Sequence, residues 1–453
     1  MPVFHLTTLG CPKNAVDSEK MAAALIRDGL EATDSVEDAD LVVVNTCAFI
    51  EAAREESIEV ALALAAGRRP GARLVLTGCM AERYGEELVS ALPEADAVVG
   101  FAGEASLAGD VLGVPVASPR RKPQGVADLL DLPRRPPTHP WAYLKVAEGC
   151  DRACAFCAIP GFRGRQVSRQ PDAVEVEARS LVQHGVKELV LVAQDVASYG
   201  RDADRPGDLA PLMHRLDGLV AEGLLRQRLL YLYPSDVRGP LLDAMCELPT
   251  AVPYFDLSLQ HASGPLLRRM RRWGDAQRFL GLIEGVRARR PDAAFRSNFI
   301  VGFPGETEAD HDALGAFIEA ADLDWAGFFA FSPEDGTPAA SMDGAPAPAL
   351  VAERLSELTE VQDRITQARR HALVGQRVDV LIDEAVGGVA IGRTHREAPE
   401  IDGVVELRGH LTPGRVVPAV VSAVAGPDLE AEPLVGALAI SERGERISEA
   451  PAR

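Results

Sequence analysis

The spacing of apolar residues changes three times along the chain. Over the first hundred residues, short apolar runs alternate with longer segments in which apolar residues recur every three or four positions. The runs "VFHLTTLGC", "ADLVVVNTC", "ARLVLTGC" and "ADAVVG" predict strands; Ala15 to Gly29, Phe49 to Gly67 and Ala81 to Leu92 predict the helices between them. Such alternation implies a parallel sheet covered on both faces. From Phe101 to Pro140 neither period holds. Pro115, Pro119, Pro123, Pro133, Pro136, Pro137 and Pro140, with Arg120, Arg121, Lys122, Arg134 and Arg135, predict a linker that ends in extended chain.

The strand–helix rhythm resumes at Trp141 with "WAYLKVA", "ELVLVAQD", "RLLYLYP", "YFDLSLQ", "RSNFIVGF" and "WAGFFAFS", and closes on a helix from Ala349 to Ala372. Right-handed βα crossovers repeated in this way curl into a barrel or a large part of one. Reactive groups in such a fold lie at the carboxyl ends of the strands. Beyond it the helical period vanishes. "QRVDVLID", "VAIGRT", "GVVELRG", "RVVPAVVSAV" and "LVGALAI" predict a small all-β barrel. The expected organisation is an α/β protein with a parallel-sheet α/β domain over 1–105, a linker over 106–138, a (βα)6 partial barrel over 139–370, a β-barrel module over 371–441 and a tail over 442–453.

Composition narrows the class. The 453 residues, 47% hydrophobic and 25% charged, are ordinary for a globular chain of about three domains. No stretch approaches the roughly 18 to 20 unbroken apolar residues that cross a bilayer. The start "MPVFHLTTLGC" reads into a strand with no basic n-region, so no signal peptide is expected. The expected location is the cytoplasm, where thiols stay reduced, and the expected state is a monomer without membrane contact. A net charge of −20 favours a basic partner or none over nucleic acid, although a local basic patch is compatible with RNA.

Seven cysteines form no disulfide framework in such a chain; metal binding or catalysis suits them better. Cys246, in "LLDAMCELP", occupies an apolar helical position and reads as a small buried hydrophobe. The other six form two sets of three. Cys150, Cys154 and Cys157, in "EGCDRACAFC", follow the first barrel strand with CxxxCxxC spacing. Structural zinc, the bland alternative, takes four ligands, and no fourth cysteine is near; three thiolates on a 4Fe–4S cluster leave one iron open. Cys11, Cys47 and Cys79 are far apart in sequence, but each ends its own strand: "TTLGC", "VVNTC", "LTGC". In a parallel sheet these are ends on one edge, where ligands bind. They read either as three buried structural cysteines or as a second three-cysteine cluster site.

CxxxCxxC after the first strand of a (βα)6 barrel, with Phe156 before the last cysteine, resembles the radical-SAM superfamily. The resemblance implies that the open iron chelates S-adenosylmethionine and that reductive cleavage yields a 5′-deoxyadenosyl radical. Both cysteine sets, the barrel and the C-terminal β module together resemble the methylthiotransferase family over essentially the whole chain: N-terminal domain, radical-SAM barrel, TRAM module. That resemblance implies two 4Fe–4S clusters. The auxiliary one handles the sulfur that receives a methyl group from one S-adenosylmethionine, and a second S-adenosylmethionine supplies the radical.

The run "TLGCPKNAVDSEKM" is similar to the RimO branch of that family; tRNA-modifying members usually show Tyr before GC and Gln-Met after it. "GRTHREAPEIDGVV", above all "APEIDG", resembles the same branch. Membership implies methylthiolation of the β-carbon of an aspartate in small-subunit ribosomal protein uS12, free or in the assembled subunit, with a low-potential electron donor and a sulfur source. From His371 onward the chain has eight Arg, no Lys and thirteen Asp or Glu, a balance of −5. This is unlike an RNA clamp and suits a basic protein. Glu397, Glu400 and Asp402 in the "REAPEID" loop are the expected contacts to it.

Strand-end polar groups predict cofactor contacts at Gln194, Asp195, Gln260, Ser297 and Gly302, with Asn298 and Glu306 beside them in "SNFIVGFPGET". His261 reads equally as a structural histidine. The basic run Arg268 to Arg272 reads as a solvated face or a contact to ribosomal RNA. The readings from other classes are the same chemistry on a tRNA adenosine, and an iron–sulfur electron carrier or scaffold.

Overall fold

The computed structural model describes residues 1–113, 130–203 and 209–434. The N-terminal sheet is parallel, in the order β2-β1-β3-β4-β5, from β1 (Val3–Thr8), β2 (Glu31–Ala32), β3 (Leu41–Thr46), β4 (Arg73–Gly78) and β5 (Ala97–Val98). Every residue of β3 is buried, as the middle strand of a sheet with helices on both faces requires. Helices α1 (Pro12–Arg27), α2 (Glu51–Gly67), α3 (Cys79–Ala91) and α4 (Leu107–Leu112) cover it. Strand β2 has two exposed edge residues and no period to detect.

The expected linker begins too early. Leu107 and Ala108 of α4 are buried with Phe4, Met21 and Leu25 in the core of the first domain. Residues 114–129, which hold the prolines 115, 119 and 123 and the basic 120–122, lie outside the described residues. Farther on, Arg134 donates from Nε to Glu19 at 2.7 Å and from Nη1 to Glu177 at 3.1 Å. It therefore ties α1 to the barrel and is not free for RNA.

The barrel strands are β6 (Trp141–Lys145), β9 (Glu188–Val192), β10 (Arg226–Leu229), β11 (Tyr254–Gln260), β12 (Ala294–Val301) and β13 (Trp325–Ala330); a short antiparallel pair, β7 (Ala147–Glu148) and β8 (Val167–Ser168), lies beside β6. They form two parallel three-stranded sheets, β10-β9-β6 and β11-β12-β13. Bridges at Gln227–Ala251 and Leu232–Leu257 join the two sheets. The helices outside are α5 (Ile159–Arg163), α6 (Pro171–Gln183), α7 (Leu209–Asp217), α8 (Gly239–Glu247), α9 (Gly264–Arg269), α10 (Ala276–Arg289), α11 (Glu308–Ala321) and α12 (Pro348–His371). A continuous apolar core, including Leu189, Leu191, Phe255, Phe279, Phe295 and Phe317, fills the layer between strands and helices.

A complete barrel fills its interior with its own side chains. This partial barrel draws on its neighbours. Val16 of α1 and Ala398 of the C-terminal module share one buried cluster with Tyr143, Val190, Val192, Leu230 and Tyr254. The module is a closed barrel, β14-β15-β16-β18-β17, of β14 (Arg377–Val386), β15 (Val389–Arg393), β16 (Val405–Arg408), β17 (Val416–Ala425) and β18 (Asp428–Pro433). The expected last strand "LVGALAI", Leu434 apart, lies outside the described residues. The fifth strand is instead the acidic "DLEAEP", which buries only Leu429 and Ala431 and so carries a weak apolar signal.

The acidic loop of this module is not a docking surface for a basic protein. Glu397 is 0% exposed; its carboxylate accepts from Arg370 Nη1 at 2.5 Å and from Thr394 N and Oγ1 at 2.8 and 2.6 Å. The Asp402 carboxylate accepts from Tyr254 Oη at 2.5 Å and Ala398 N at 2.9 Å, and pairs with Arg296 at 3.5 Å. Glu400 is exposed, but its Oε2 accepts from Tyr143 Oη at 3.1 Å. The loop plugs the amino-terminal end of the barrel, and its carboxylates are consumed there. Substituting Glu397→Ala strands Arg370 without a partner and is expected to cost about 3 kcal/mol or more, read as a lower denaturant midpoint.

Candidate functional site

The carboxyl edge of the first sheet gathers Cys11, Cys47 and Cys79. Gly10 adopts φ +91°, and a Cβ there would lie 2.7 Å from Cys47 Cβ and 2.8 Å from its Sγ, so only glycine lets the two turns approach. Asn14, on the first turn of α1, braces the strand ends: its Nδ2 donates to Leu9 O at 2.9 Å and to Thr46 O at 3.1 Å. The Cys47 N–H donates to Ser57 Oγ at 3.0 Å. The three thiols lie within electrostatic reach of one another. Burial pushes Cys47 up to about 12 and raises Cys79. At Cys11 burial is outweighed by the cations Lys13 and Arg163, and its thiol is lowered.

The second set lies in the loop between β7 and α5. The Cys150 N–H donates to Gly164 O at 3.1 Å and the Cys157 N–H to Cys154 O at 3.3 Å, so the loop is folded on itself. N–H groups point at sulfur, among them Arg152 N at 3.4 Å from Cys150 Sγ and Arg272 Nη1 at 3.4 Å from Cys154 Sγ. Both arginines lie over the Tyr233 ring, 3.8 and 4.1 Å from its centroid. Burial pushes Cys150 to about 11 and Cys157 to about 12. Arg272 belongs to the run expected on a solvated face or at ribosomal RNA, so that expectation fails for this residue; Arg268 and Arg271 are exposed.

One side chain ties the first set to the segment that carries the second. Arg163, last in α5 and 5% exposed, donates from Nε and Nη2 to Cys79 Sγ at 3.3 and 3.0 Å. It also donates to Asn14 Oδ1 at 2.6 Å, to both Glu148 oxygens at 3.0 Å and to Asp17 at 3.3 Å. Lys145 pairs with Asp17 at 2.7 Å and with Glu148, which in turn accepts from Gln194. Burial would raise Glu148, but Arg163 and Lys145 reverse this and hold it at about 2. Sequence reading missed Arg163 because it lies outside the cysteine spacing and its partners are distant in the chain.

All six cysteines carry free thiols, and soft thiolates suit iron–sulfur clusters. Among the described residues, no group of three His, Cys, Asp or Glu is placed to hold a metal ion. Thiolates on separate irons of a cluster stand wider apart than ligands of one ion. With N–H donors and guanidinium groups aimed at sulfur, both sets fit a net anionic cluster. Removing the Arg163 charge by Arg163→Gln is expected to make the potential of a cluster at Cys79 more negative by about 60 mV or more, while Arg163→Lys recovers part of the shift. Redox titration followed by EPR checks this.

The remaining predicted contacts divide. In β12, Arg296, Asn298 and Ile300 face the barrel interior while Ser297, Phe299 and Val301 face away. Ser297 is wholly buried, and its Oγ donates to Leu257 O at 2.7 Å, so it is a strand-bridging residue and not a cofactor contact. Its neighbour Asn298 keeps a buried Oδ1 without a partner among the described residues. Gln194 Oε1 and Asp195 Oδ1 are likewise unpartnered, while Asp195 Oδ2 holds Arg152 at 2.7 Å. Gln260 ends β11 at φ +70°, a strained backbone for a non-glycine residue. Phe156 packs on the barrel core. Gly302, at φ +82°, donates its N–H to Glu306 at 2.6 Å and backs onto Val351, which gives the turn a structural reason of its own. His261 is 0% exposed, accepts from Ser263 N at 3.0 Å and is held at about 4 by burial, while its Nε2, like Asn298 Oδ1, has no partner among the described residues. Cys246 is buried in the outer core.

A partial barrel that delivers three thiols from the loop after its first strand, behind a sheet with three more, is the architecture of a radical S-adenosylmethionine enzyme. Family models match in the same order: uncharacterized protein family UPF0004 at residues 3–100, the radical SAM superfamily at 144–318 and the TRAM domain at 374–434. The chain is 43% identical over 477 residues to "ribosomal protein uS12 methylthiotransferase RimO" of Kineococcus radiotolerans, covering 95% of this chain and 97% of that one. It is 42% identical to the protein of the same name from Salinispora tropica, covering 94% of each. Among solved structures it is similar to the radical S-adenosylmethionine methyltransferase TsrM of Kitasatospora setae, with TM-score 0.55, 16% identity, and coverage of 82% of this chain and 90% of that one. The chain belongs to the RimO family of ribosomal protein uS12 methylthiotransferases. Among the described residues no helix is long and apolar enough to cross a membrane.

Proposed function

We propose that the chain adds a methylthio group to the β-carbon of an aspartate of ribosomal protein uS12, with Cys150, Cys154 and Cys157 holding the 4Fe–4S cluster that binds S-adenosylmethionine and Cys11, Cys47 and Cys79 holding a second one. The observation that carries this reading is the full-length identity to proteins of that name, spanning nearly all of both chains. When bound, the clusters and S-adenosylmethionine supply one-electron cleavage of the sulfonium and the sulfur that is transferred. The protein's own part is to hold these groups apart and dry. Arg152, through its backbone N–H to Cys150 and its guanidinium on Asp195 and Asp236, fixes the loop that carries the barrel thiols, and the Arg272 guanidinium places positive charge beside an anionic centre. Arg163 ties that loop to the other thiol set, so the two sites keep one spacing. The unpartnered Gln194 Oε1, just beyond β9, and Asn298 Oδ1, within β12, are available to a polar cofactor. The reaction also requires a low-potential electron donor and a sulfur source. Mass spectrometry of uS12 and of tRNA from a strain lacking the gene tests the reading. A methylthio mass missing from uS12 is the expected result, and one missing from tRNA alone would overturn it.

A further inference from the structure

Three lysines of the two catalytic domains are buried, and two are paired with carboxylates. Lys20 meets Glu177 at 3.2 Å, and Lys145 meets Asp17 at 2.7 Å. Lys13 is different. It is 8% exposed, Cys11, Tyr231 and Arg163 act on it most strongly, and among the described residues it makes no ion pair with a carboxylate. Its Nζ lies 3.5 Å from the centroid of the Tyr231 ring. Apart from the Cys11 thiol, this buried cation has no anionic partner among the described residues, and a buried cation with no carboxylate to pair with is costly and marks a place where one is to arrive. Tyr231 supports this. It is held at φ +63°, a strained conformation for a bulky residue, just beyond β10, and its N–H donates to Asp256 Oδ2 at 2.9 Å. The other cation of this wall, Arg296, is already occupied by Asp256 at 3.0 Å and Asp402 at 3.5 Å. Among the described residues Lys13 is therefore the cation in this wall that no carboxylate holds, two residues from Cys11 and in contact with Tyr231 of the barrel.

We propose that Lys13 is the residue that selects the substrate by binding the carboxylate of the target aspartate. This rests on the functional reading above. The carbon to be modified is bonded directly to the carboxylate carbon. An ammonium that holds the carboxylate beside Cys11 therefore sets that carbon next to the first thiol set and facing the barrel. A charge-assisted pair in a water-poor site is worth about ten- to a hundredfold in affinity. A neutral side chain of the same shape leaves Lys13 unpaired and is rejected.

The test uses the reconstituted holoenzyme with S-adenosylmethionine and two forms of uS12, one with the target aspartate and one with asparagine in its place. Equilibrium binding and the split between KM and kcat are measured for wild type, Lys13→Met, Lys13→Gln and Lys13→Arg. Wild type is expected to prefer the aspartate form by about ten- to a hundredfold. Met and Gln are expected to bind both forms equally, and Arg to restore the preference. An undiminished preference for aspartate in Met or Gln would overturn the proposal. So would a change confined to the EPR spectrum of the cluster beside Cys11, since that would make Lys13 only a counter-charge to sulfur. If the wild-type enzyme modifies tRNA and not uS12, the functional reading itself has failed, a separate outcome.

Discussion

Alanine at Cys150, Cys154 and Cys157 together will reduce cleavage of S-adenosylmethionine to 5′-deoxyadenosine to background. Three thiolates are the only soft donors of that loop, and the side chains around them, Arg152 and Arg272, are cations that cannot replace a ligand. The loss will not come from unfolding. The loop is held by backbone bonds to Gly164, Met270 and Ala339 that do not involve sulfur. Iron is expected to fall by about half, on the proposal that each set holds its own cluster. Deoxyadenosine formation that persists in this variant, under anaerobic reducing conditions, would remove the barrel cysteines from the chemistry.

Alanine at Cys11, Cys47 and Cys79 will separate the two halves of the reaction. Uncoupled cleavage of S-adenosylmethionine persists, while transfer of the methylthio group is lost and iron again falls by about half. The structure explains why the halves can be parted. Arg163 loses Cys79 as an acceptor but keeps Asn14, Glu148 and Asp17, so its grip on the barrel loop survives. Transfer that continues in this variant would show that the sulfur is handled elsewhere.

The order of the three domains and the six barrel strands was legible because buried parallel strands read as unbroken apolar runs; β9, Glu188 apart, is nothing but Leu and Val. The cysteine sets were legible for a different reason. Each of Cys11, Cys47 and Cys79 ends a run that must be a strand, and parallel strands bring their ends to one edge. What stayed hidden was charge turned inward. Glu397 and Asp402 look like surface residues in sequence, yet Arg370, Tyr254 and Arg296 satisfy them in the interior. Lys13, Arg163 and Arg272 take their meaning from partners distant in the chain, which no local pattern encodes. The choice of Ser297 over Asn298 was a matter of parity: adjacent strand residues face opposite ways, and composition alone does not say which face is the lumen.

The central claim is that the two thiol sets act together on uS12. It is tested most directly by incubating the reconstituted, reduced protein with methyl-labelled S-adenosylmethionine, small ribosomal subunits and tRNA in one vessel. Label and deoxyadenosine are then counted in the same sample. The account predicts label on a single aspartate of uS12, with about one deoxyadenosine formed per methylthio group in coupled turnover. Label on tRNA, or deoxyadenosine with no label on uS12, would contradict it.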